Sequence, residues 1–257
     1  MLRVLILVAL SAVPLAAAGQ RSALLVGVDA GGRVQPLAKR EGRNWSPTCD
    51  APPRGAVRGA PERPVLAISG DASVEAIQYV PRNSVVWRQI EPMVRKIFGV
   101  QERLQNVSLD VLVGLPTDVE SIATSMEPAT RPIYYFTASK TVPDSSAPLA
   151  ADREGVANPR GDLRIDVVGW VRAAAAGAAD KNLALGTNTT LTWEPVDERR
   201  ARPLPRRTTL NPVGIVRIND AGFWVMHGRS GTSTWFSLYD VGVGGVRMVA
   251  RSDPQQC

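Results

Sequence analysis

The sequence predicts a mainly β protein, α+β at the margin, in which antiparallel hairpins and a meander form a sheet with one amphipathic helix packed on it. The clearest support comes from residues 211–251, where short apolar runs alternate with the turn sequences NDAG, GRSG and GVGG. Valine, isoleucine and aromatic residues fit a pleated, half-buried surface, and Asn, Asp and Gly supply the backbone angles of tight turns. The apolar runs are Val213–Ile218, Phe223–His227, Thr234–Val241 and Val246–Val249. Similar runs recur along the chain, whereas only one segment has strong helical periodicity. A sandwich, a barrel or a propeller of repeated blades would each satisfy this pattern.

The first 18 residues have the features of a secretory signal peptide. Arg3 gives a positive start, residues 4–13 are apolar, and residues 16–18 are alanines that suit a cleavage site. The apolar run is too short to span a bilayer, and no later segment approaches the roughly 18 apolar residues of a membrane helix. We therefore expect residues 19–257 to form a single exported domain, secreted or periplasmic, with no stable membrane span after cleavage.

The N-terminal part of this domain predicts a β-hairpin followed by a loop. Strands at 23–28 and 34–38 flank the turn Asp29-Ala30-Gly31-Gly32. Residues 46–64 are dense in Pro, Gly and Arg and predict a loop. Two further strands are predicted at 65–68 and 74–80.

Residues 83–98 carry the helical pattern. The apolar residues at helical spacing are Val86, Ile90, Met93, Val94 and Ile97. We expect Ser84 to cap this helix and Gly99 to end it. Pro92 predicts either a kink or a helix that begins near it. The apolar stripe is wide enough to indicate a face packed on the core.

The middle of the chain predicts further strands and loops. Strands are expected at 107–113, 133–139 and 163–171, a weaker helical pattern at 119–126, a loop near 143–159, and a hairpin over 183–193 that turns at Gly186-Thr187-Asn188. The strand at 163–171 alternates, so Ile165 and Val167 should lie on one face and Arg164 and Asp166 on the other. Residues 198–207 hold five arginines and two prolines, which predicts an extended, solvated linker.

The net charge of +6 is a weak indication of a nucleic-acid partner. Lysine occurs only at positions 39, 96, 140 and 181, so arginine supplies most of the 30 basic residues. A bias of this kind is typical of a GC-rich genome, and an exported protein rarely meets nucleic acid. We therefore expect no nucleic-acid partner.

Cys49 and Cys257 are the only cysteines. In an exported protein they allow one internal disulfide, which we expect to form. The alternative is two unrelated thiols. The bridge would bring the N-terminal hairpin next to the C-terminal meander.

The residues that carry chemistry are sparse. His227 is the only histidine and lies in a predicted strand with Phe223 and Val225 on the same face, which favours a position at the core edge over a catalytic base. Ser230 has a glycine two positions before it, but Thr232 stands where a nucleophile elbow needs a second glycine. One histidine and two distant cysteines do not provide a usual zinc or copper ligand set. No glycine-rich phosphate loop precedes a helix. We therefore predict no catalytic residue, cofactor or metal ligand.

Two features leave functional alternatives open. Carboxylates in or beside predicted strands could converge in a cleft, as glycoside hydrolysis requires, although nothing singles out a pair. They are Asp110, Asp166, Glu194 and Asp240. The six tryptophans could stack on sugars or hold a hydrophobic partner, but filling the core is the favoured interpretation.

The sequence thus favours a non-catalytic binding or structural module of the cell envelope or extracellular space, with a carbohydrate or a protein as partner. A hydrolase of glycosides or esters that uses dispersed carboxylates is the alternative.

Overall fold

The computed structural model describes residues 22–42, 44–50, 61–69, 72–104, 114–126, 132–142, 162–172, 183–194, 208–218, 221–242 and 244–252. These residues form three antiparallel sheets and one helix, so the mainly β prediction is confirmed. Several predicted segments lie outside the described residues: 1–18, 107–113, 143–159, 198–207 and Cys257.

The secondary-structure elements follow in chain order. The strands are β1 Ser22–Val28, β2 Val34–Glu41, β3 Asn44–Pro47, β4 Val65–Ile68, β5 Ser73–Glu75, β6 Ile77–Tyr79, β7 Asp118–Ser125, β8 Ile133–Val142, β9 Asp162–Arg172, β10 Leu183–Glu194, β11 Thr208–Ile218, β12 Ala221–Ser230, β13 Ser233–Gly242 and β14 Gly245–Arg251. The helix is α1, Val85–Arg103.

The chain divides into two compact units, a division that the sequence analysis does not predict. Unit 1 combines residues 1–77 with 209–257, and unit 2 holds residues 78–208. Unit 1 contains the hairpin sheet, in the order β3-β2-β1-β4, and the meander sheet, in the order β14-β13-β12-β11-β5. Unit 2 contains α1 and the helix-backed sheet, in the order β10-β9-β8-β7-β6.

Unit 1 is built from two sheets that share one core. Leu25 and Leu37 of the hairpin sheet pack in the same buried cluster as Val225, Phe236 and Leu238 of the meander sheet. The predicted meander is confirmed, since β11, β12, β13 and β14 are consecutive neighbours. The expected proximity of the N-terminal hairpin and the meander is also confirmed, because the two sheets enclose a common core.

The predicted loop at 46–64 begins later than the sequence suggests. Residues 44–47 form β3, which pairs with β2 and directs the buried Trp45 into the core of unit 1. The predicted strand at 74–80 is divided: β5 pairs with β11 in the meander sheet, and β6 lies at the edge of the helix-backed sheet. The apolar run therefore supplies an edge strand to each of two sheets.

Unit 2 packs α1 on one face of its sheet. Trp87, Ile90, Val94 and Phe98 are buried against strand residues such as Phe136, which confirms the predicted core face. Ser84 is the N-cap, as predicted, and its Oγ accepts a hydrogen bond from the Trp87 amide at 3.1 Å.

The helix does not end at Gly99, and the alternative of a helix that begins near Pro92 is wrong. The helix continues past Gly99 to Arg103 and passes through Pro92 as one element. Pro92 is exposed, while the buried stripe on either side of it packs on the same sheet. This packing outweighs the single hydrogen bond that proline cannot make.

The weak helical prediction at 119–126 is wrong, because residues 119–125 belong to β7. A β-bulge between Val119 and Ser121 adds one residue to the strand. Val119 and Ile122 consequently face the same core although they are three positions apart, which imitates helical spacing. The bulge, and not a helix, produced the pattern.

The hairpin predicted over 183–193 is also wrong. β10 is a single strand that pairs with β9 along its length, and a bulge lies between Ala184 and Gly186. A methyl group built on Gly169 of β9 would overlap the carbonyl oxygen of Gly186. Glycine therefore marks a close approach of two backbones here and not a turn.

Candidate functional site

The main convergence of charged side chains in unit 2 lies on the helix-backed sheet, on the face away from α1. Phe136 and Ala138 of β8 pack in the core under the helix, so the alternation of the strand places Thr137 and Ser139 on the opposite face. Ser139 is the register partner of Asp166 in β9. Glu120 joins them as the extra residue of the β7 bulge.

Arg164 is the centre of this charged network. Its Nε lies 3.0 Å from Oδ1 of Asp166, and its Nη2 forms an ion pair with Oε1 of Glu120. The same Nη2 donates a hydrogen bond to Oγ of Ser139 at 2.9 Å, and this hydroxyl donates to Oε1 of Glu120 at 2.9 Å. The exposed fractions of the side chains are 29% for Glu120, 17% for Arg164 and 8% for Asp166. One guanidinium thus joins side chains from three adjacent strands in a partly dehydrated position.

The sequence predicts part of this network and misses the rest. The alternation of residues 163–171 places Arg164 and Asp166 on one face, which the structure confirms, since Ile165 and Val167 are buried on the other. Glu120 is missed because the bulge hides the strand character of β7. Among the other predicted carboxylates, Asp240 has a described side chain. Asp240 lies in unit 1, where its Oδ2 is 3.2 Å from Nη2 of Arg247. Asp110 and the side chain of Glu194 lie outside the described residues.

The hydrogen bonds of the network link neighbouring strands and are directed at protein groups. An acid catalyst must offer a proton to the substrate, and a basic or nucleophilic carboxylate needs a lone pair directed at it. Here both carboxylates accept N–H groups of Arg164, and Ser139 directs its hydroxyl hydrogen at Glu120. Charge-assisted hydrogen bonds of this kind fix the side chains of β7, β8 and β9 to one another.

His227 lies at the edge of the core of unit 1. It is the register partner of Phe236, and the two ring centroids are 5.0 Å apart. Burial lowers the pKa of His227, while Asp29 raises it and Arg229 lowers it through their charges. None of the described residues hydrogen-bonds its buried Nε2. His227 thus lies at the edge of the core, as predicted. Ser230 lies at the end of β12, beside a hairpin turn in which Gly231 has φ +59°.

The tryptophans whose side chains are described pack against protein. Four of them are buried: Trp45, Trp87, Trp170 and Trp224. The Trp235 indole covers Gly228, where a β-carbon would overlap the ring, and the guanidinium of Arg251 lies 4.3 Å from the ring centroid. The favoured interpretation, in which these residues fill the interior, is confirmed for the four buried tryptophans. The side chain of Trp193 lies outside the described residues.

A shallow cleft of about 300 Å³ lies on the hairpin sheet. It is lined by Ala23, Leu24, Lys39, Arg40, Glu41, Asp50 and Ser69. Several of its polar groups are engaged: Lys39 is 3.3 Å from Glu41, Arg40 donates to the Gly42 carbonyl, and Ser69 accepts from the Leu24 amide. These polar groups of the cleft therefore already have partners within the protein.

The described residues contain neither a metal-binding cluster nor a membrane-spanning helix. The described residues contain no group of three or more His, Cys, Asp or Glu side chains placed to hold a metal ion. Among them, α1 does not combine the length and apolar character that a membrane crossing requires.

Comparison with known proteins identifies no relative: no family model, no curated protein and no solved structure matches the chain.

Proposed function

We propose that this protein is an exported, non-catalytic binding or structural module of the cell envelope or extracellular space. The observation that carries the proposal is the position of Arg164, which holds both Glu120 and Asp166. Among the described residues, these two carboxylates meet on the helix-backed sheet. Their hydrogen bonds connect β7, β8 and β9. A hydrolase that uses dispersed carboxylates is the alternative against which the proposal is tested.

The test replaces each carboxylate of the network by its amide. Glu120→Gln and Asp166→Asn keep the shape of the side chain and remove its charge. We expect each to lower the free energy of unfolding by about 1–3 kcal/mol, because a partly buried arginine loses a charged partner. Arg164→Met should cost more, about 3–5 kcal/mol, since it leaves two carboxylates close together without their cation. Urea unfolding followed by circular dichroism measures both effects.

Asp240→Asn is the matched control, because Asp240 forms an exposed ion pair with Arg247 in unit 1. Its effect should stay within about 0.5 kcal/mol. The wild-type protein is then assayed on a panel of glycosides and esters, where we expect no turnover. Turnover that disappears in Glu120→Gln or Asp166→Asn, with the fold intact, would establish the hydrolase instead.

We also propose that Cys49 and Cys257 form a disulfide in the exported protein. Cys49 lies exposed just after β3, and the described residues contain no free cysteine. Cys257 lies outside the described residues, so the bridge stays a prediction. A chain-entropy model gives a loop of this length roughly 5 kcal/mol of stabilisation at most. Mass spectrometry of unreduced protein should find one linked pair of peptides, and two alkylatable thiols would contradict the bridge.

A further inference from the structure

We infer that the outward side of α1 is a docking surface for the phosphate groups of an anionic lipid membrane. This surface, the basic face, consists of Arg88, Arg95, Lys96 and Arg103 with Val85 and Val100. All six side chains are exposed, and the two valines are 60% and 52% exposed. At 100° per residue they fall on one side of the helix, opposite the buried stripe of Trp87, Ile90, Val94 and Phe98.

The acidic residues of α1 both have a cation as partner. Glu102 is 13% exposed, and its Oε2 lies 2.7 Å from the ammonium group of Lys140 on the sheet. Glu91 lies beside the stripe, where it accepts from the Trp87 indole and forms an ion pair with Arg95 at 2.6 Å. The pKa of Glu91 is lowered, chiefly by its hydrogen bond from Arg95. Neither carboxylate is therefore left without a cationic partner.

Three cations of the basic face keep their full charge available. Arg88, Lys96 and Arg103 form no ion pair with any described residue. Arg95 is different, because Glu91 and the Thr117 carbonyl both bind its guanidinium. Arg88 and Arg103 are 15 residues apart in sequence, so the three cations extend over roughly 22 Å of helix at 1.5 Å per residue.

An anionic lipid surface fits this arrangement in three respects. The basic face is the ridge of a helix, which suits a laterally extended array of anions better than it suits one small anion. The guanidinium groups of Arg88 and Arg103 can bind phosphate oxygens in a bidentate manner. Val85 and Val100 place exposed apolar groups at the two ends of the ridge, where they can enter the boundary between headgroups and acyl chains. The inference takes from the proposed function only that the protein is exported and so meets an envelope membrane.

The test measures sedimentation with vesicles of phosphatidylglycerol and phosphatidylcholine, and with vesicles of phosphatidylcholine alone. We expect binding to the anionic vesicles at low salt, and weaker binding as salt is raised. The triple variant Arg88→Gln, Lys96→Gln, Arg103→Gln should lower the partition coefficient about a hundredfold, since each basic residue near an anionic surface contributes roughly a fivefold factor. Glutamine is a good helix former, so circular dichroism should stay unchanged.

The matched control removes the same charge elsewhere. Arg33→Gln, Arg63→Gln, Arg229→Gln alters three exposed arginines of unit 1 and should lower binding much less. All three proteins have the same N-terminus, so any contribution from residues 1–18 cancels. Equal losses in the two triple variants would overturn the inference, because net charge alone would then explain binding. So would equal binding to phosphatidylcholine vesicles, or binding to an acidic protein or soluble polyphosphate but not to vesicles.

The failure of this inference can be distinguished from failure of the proposed function. Vesicle binding does not depend on turnover, so a protein that hydrolyses a glycoside and still requires the basic face for vesicle binding would refute only the proposed function. A protein that shows no turnover and does not bind anionic vesicles would refute only the docking surface.

Discussion

Gly27 of β1 lies directly against the ring of Phe236 in β13, and a β-carbon built on Gly27 would overlap that ring. Both residues are buried, and they belong to the two facing sheets of unit 1. The ring fills the space that a side chain at position 27 would occupy. The distance between the sheets at this point therefore depends on the absence of a β-carbon.

We predict that Gly27→Ala lowers the free energy of unfolding by about 1–3 kcal/mol, because Phe236 must leave its position or the sheets must separate. Urea unfolding of the purified protein measures the change. Combining Gly27→Ala with Phe236→Leu should cost less than the sum of the two single changes, since the smaller side chain relieves the overlap. Strict additivity would show that overlap with the Phe236 ring is not the source of the loss.

Gly99→Ala provides the matched comparison, because nothing lies within 4 Å of a β-carbon built there. Gly99 is inside α1, where alanine is a better helix former. We expect stabilisation of about 0.5–1 kcal/mol. A loss of stability of the size seen at Gly27 would contradict the steric argument.

The sequence predicts the meander well because each of its strands is long, rich in β-branched or aromatic residues, and bounded by a tight turn. The prediction fails where one extra residue interrupts the two-residue alternation of a strand. The bulge at Glu120 places Val119 and Ile122 on the same face and gives a strand the spacing of a helix. Gly186 carries the composition of a turn, but its backbone faces Gly169 of the neighbouring strand. Only the pairing between distant segments distinguishes these cases.

A buried polar bridge fastens the two sheets of unit 1 near the end of β14. The Oγ of Ser252 accepts from the Phe236 amide at 2.7 Å and donates to Oε1 of Gln35 in β2 at 2.9 Å. Nε2 of Gln35 also donates to Oγ1 of Thr234 at 3.3 Å. Ser252 and Gln35 are each 3% exposed, so water cannot easily replace a lost partner.

We predict that Ser252→Ala costs about 1–3 kcal/mol, because it leaves a buried amide and a buried carbonyl oxygen without this partner. Thermal and urea unfolding provide the measurement. Ser233→Ala, at an exposed position on β13, is the control and should change stability by less than about 0.5 kcal/mol. Equal effects at the two positions would remove the bridge as an explanation.

Lys140 of β8 and Glu102 of α1 form an ion pair between the sheet and the helix. Their side chains are only 6% and 13% exposed. The Lys140 ammonium is 2.7 Å from Glu102 and 5.7 Å from the centre of the Phe98 ring. We predict that Lys140→Met lowers stability by about 3–5 kcal/mol, since a nearly buried carboxylate loses its cation. Adding Glu102→Leu should recover much of this loss, and a double-mutant cycle measures the coupling.

The Lys39–Glu41 pair is the control for this cycle, because its side chains are 42% and 65% exposed. Its coupling should lie below about 1 kcal/mol. A similar coupling in the two cycles would indicate that burial does not determine the strength of these ion pairs.

The sequence predicts only half of the charged network around Arg164, because alternation along one strand does not show which other strands pair with it. Arg164 and Asp166 are two positions apart in a strand, so strict alternation places them together on the face opposite Ile165. Glu120 is far away in sequence and reaches them through the order β9-β8-β7. The position of the basic face of α1 can be predicted from the sequence, because the periodicity that predicts the buried stripe also determines which residues face outward. The ion pair of Arg95 with Glu91 is an i,i+4 contact within the helix, whereas the pairing of Glu102 with Lys140 becomes visible only with the sheet in place.

The burial of His227 makes the stability of unit 1 depend on pH. Burial lowers the pKa of His227 below the ordinary value of 6.5. Well above pH 6.5 the residue is neutral in both states, so its contribution to stability does not change. As the pH falls below about 6.5, the unfolded chain takes up the proton first, and the free energy of unfolding decreases until the pH passes the lowered pKa of the folded state. His227 is the only histidine, so this slope has one main side-chain source. His227→Phe should remove it, as urea unfolding between pH 5 and 8 would show.

Two neighbouring charges offer variants with opposite expected signs. Asp29 raises the pKa of His227, and Arg229 lowers it. Asp29→Asn retains the oxygen that accepts the Gly31 and Arg33 amides, so the turn should persist while the pKa of His227 falls further and the loss of stability on acidification grows. Arg229→Gln should raise that pKa and make the loss smaller. NMR titration of the His227 imidazole measures both shifts directly. Shifts in the same direction in the two variants would show that their charges do not act on His227 as the structure indicates.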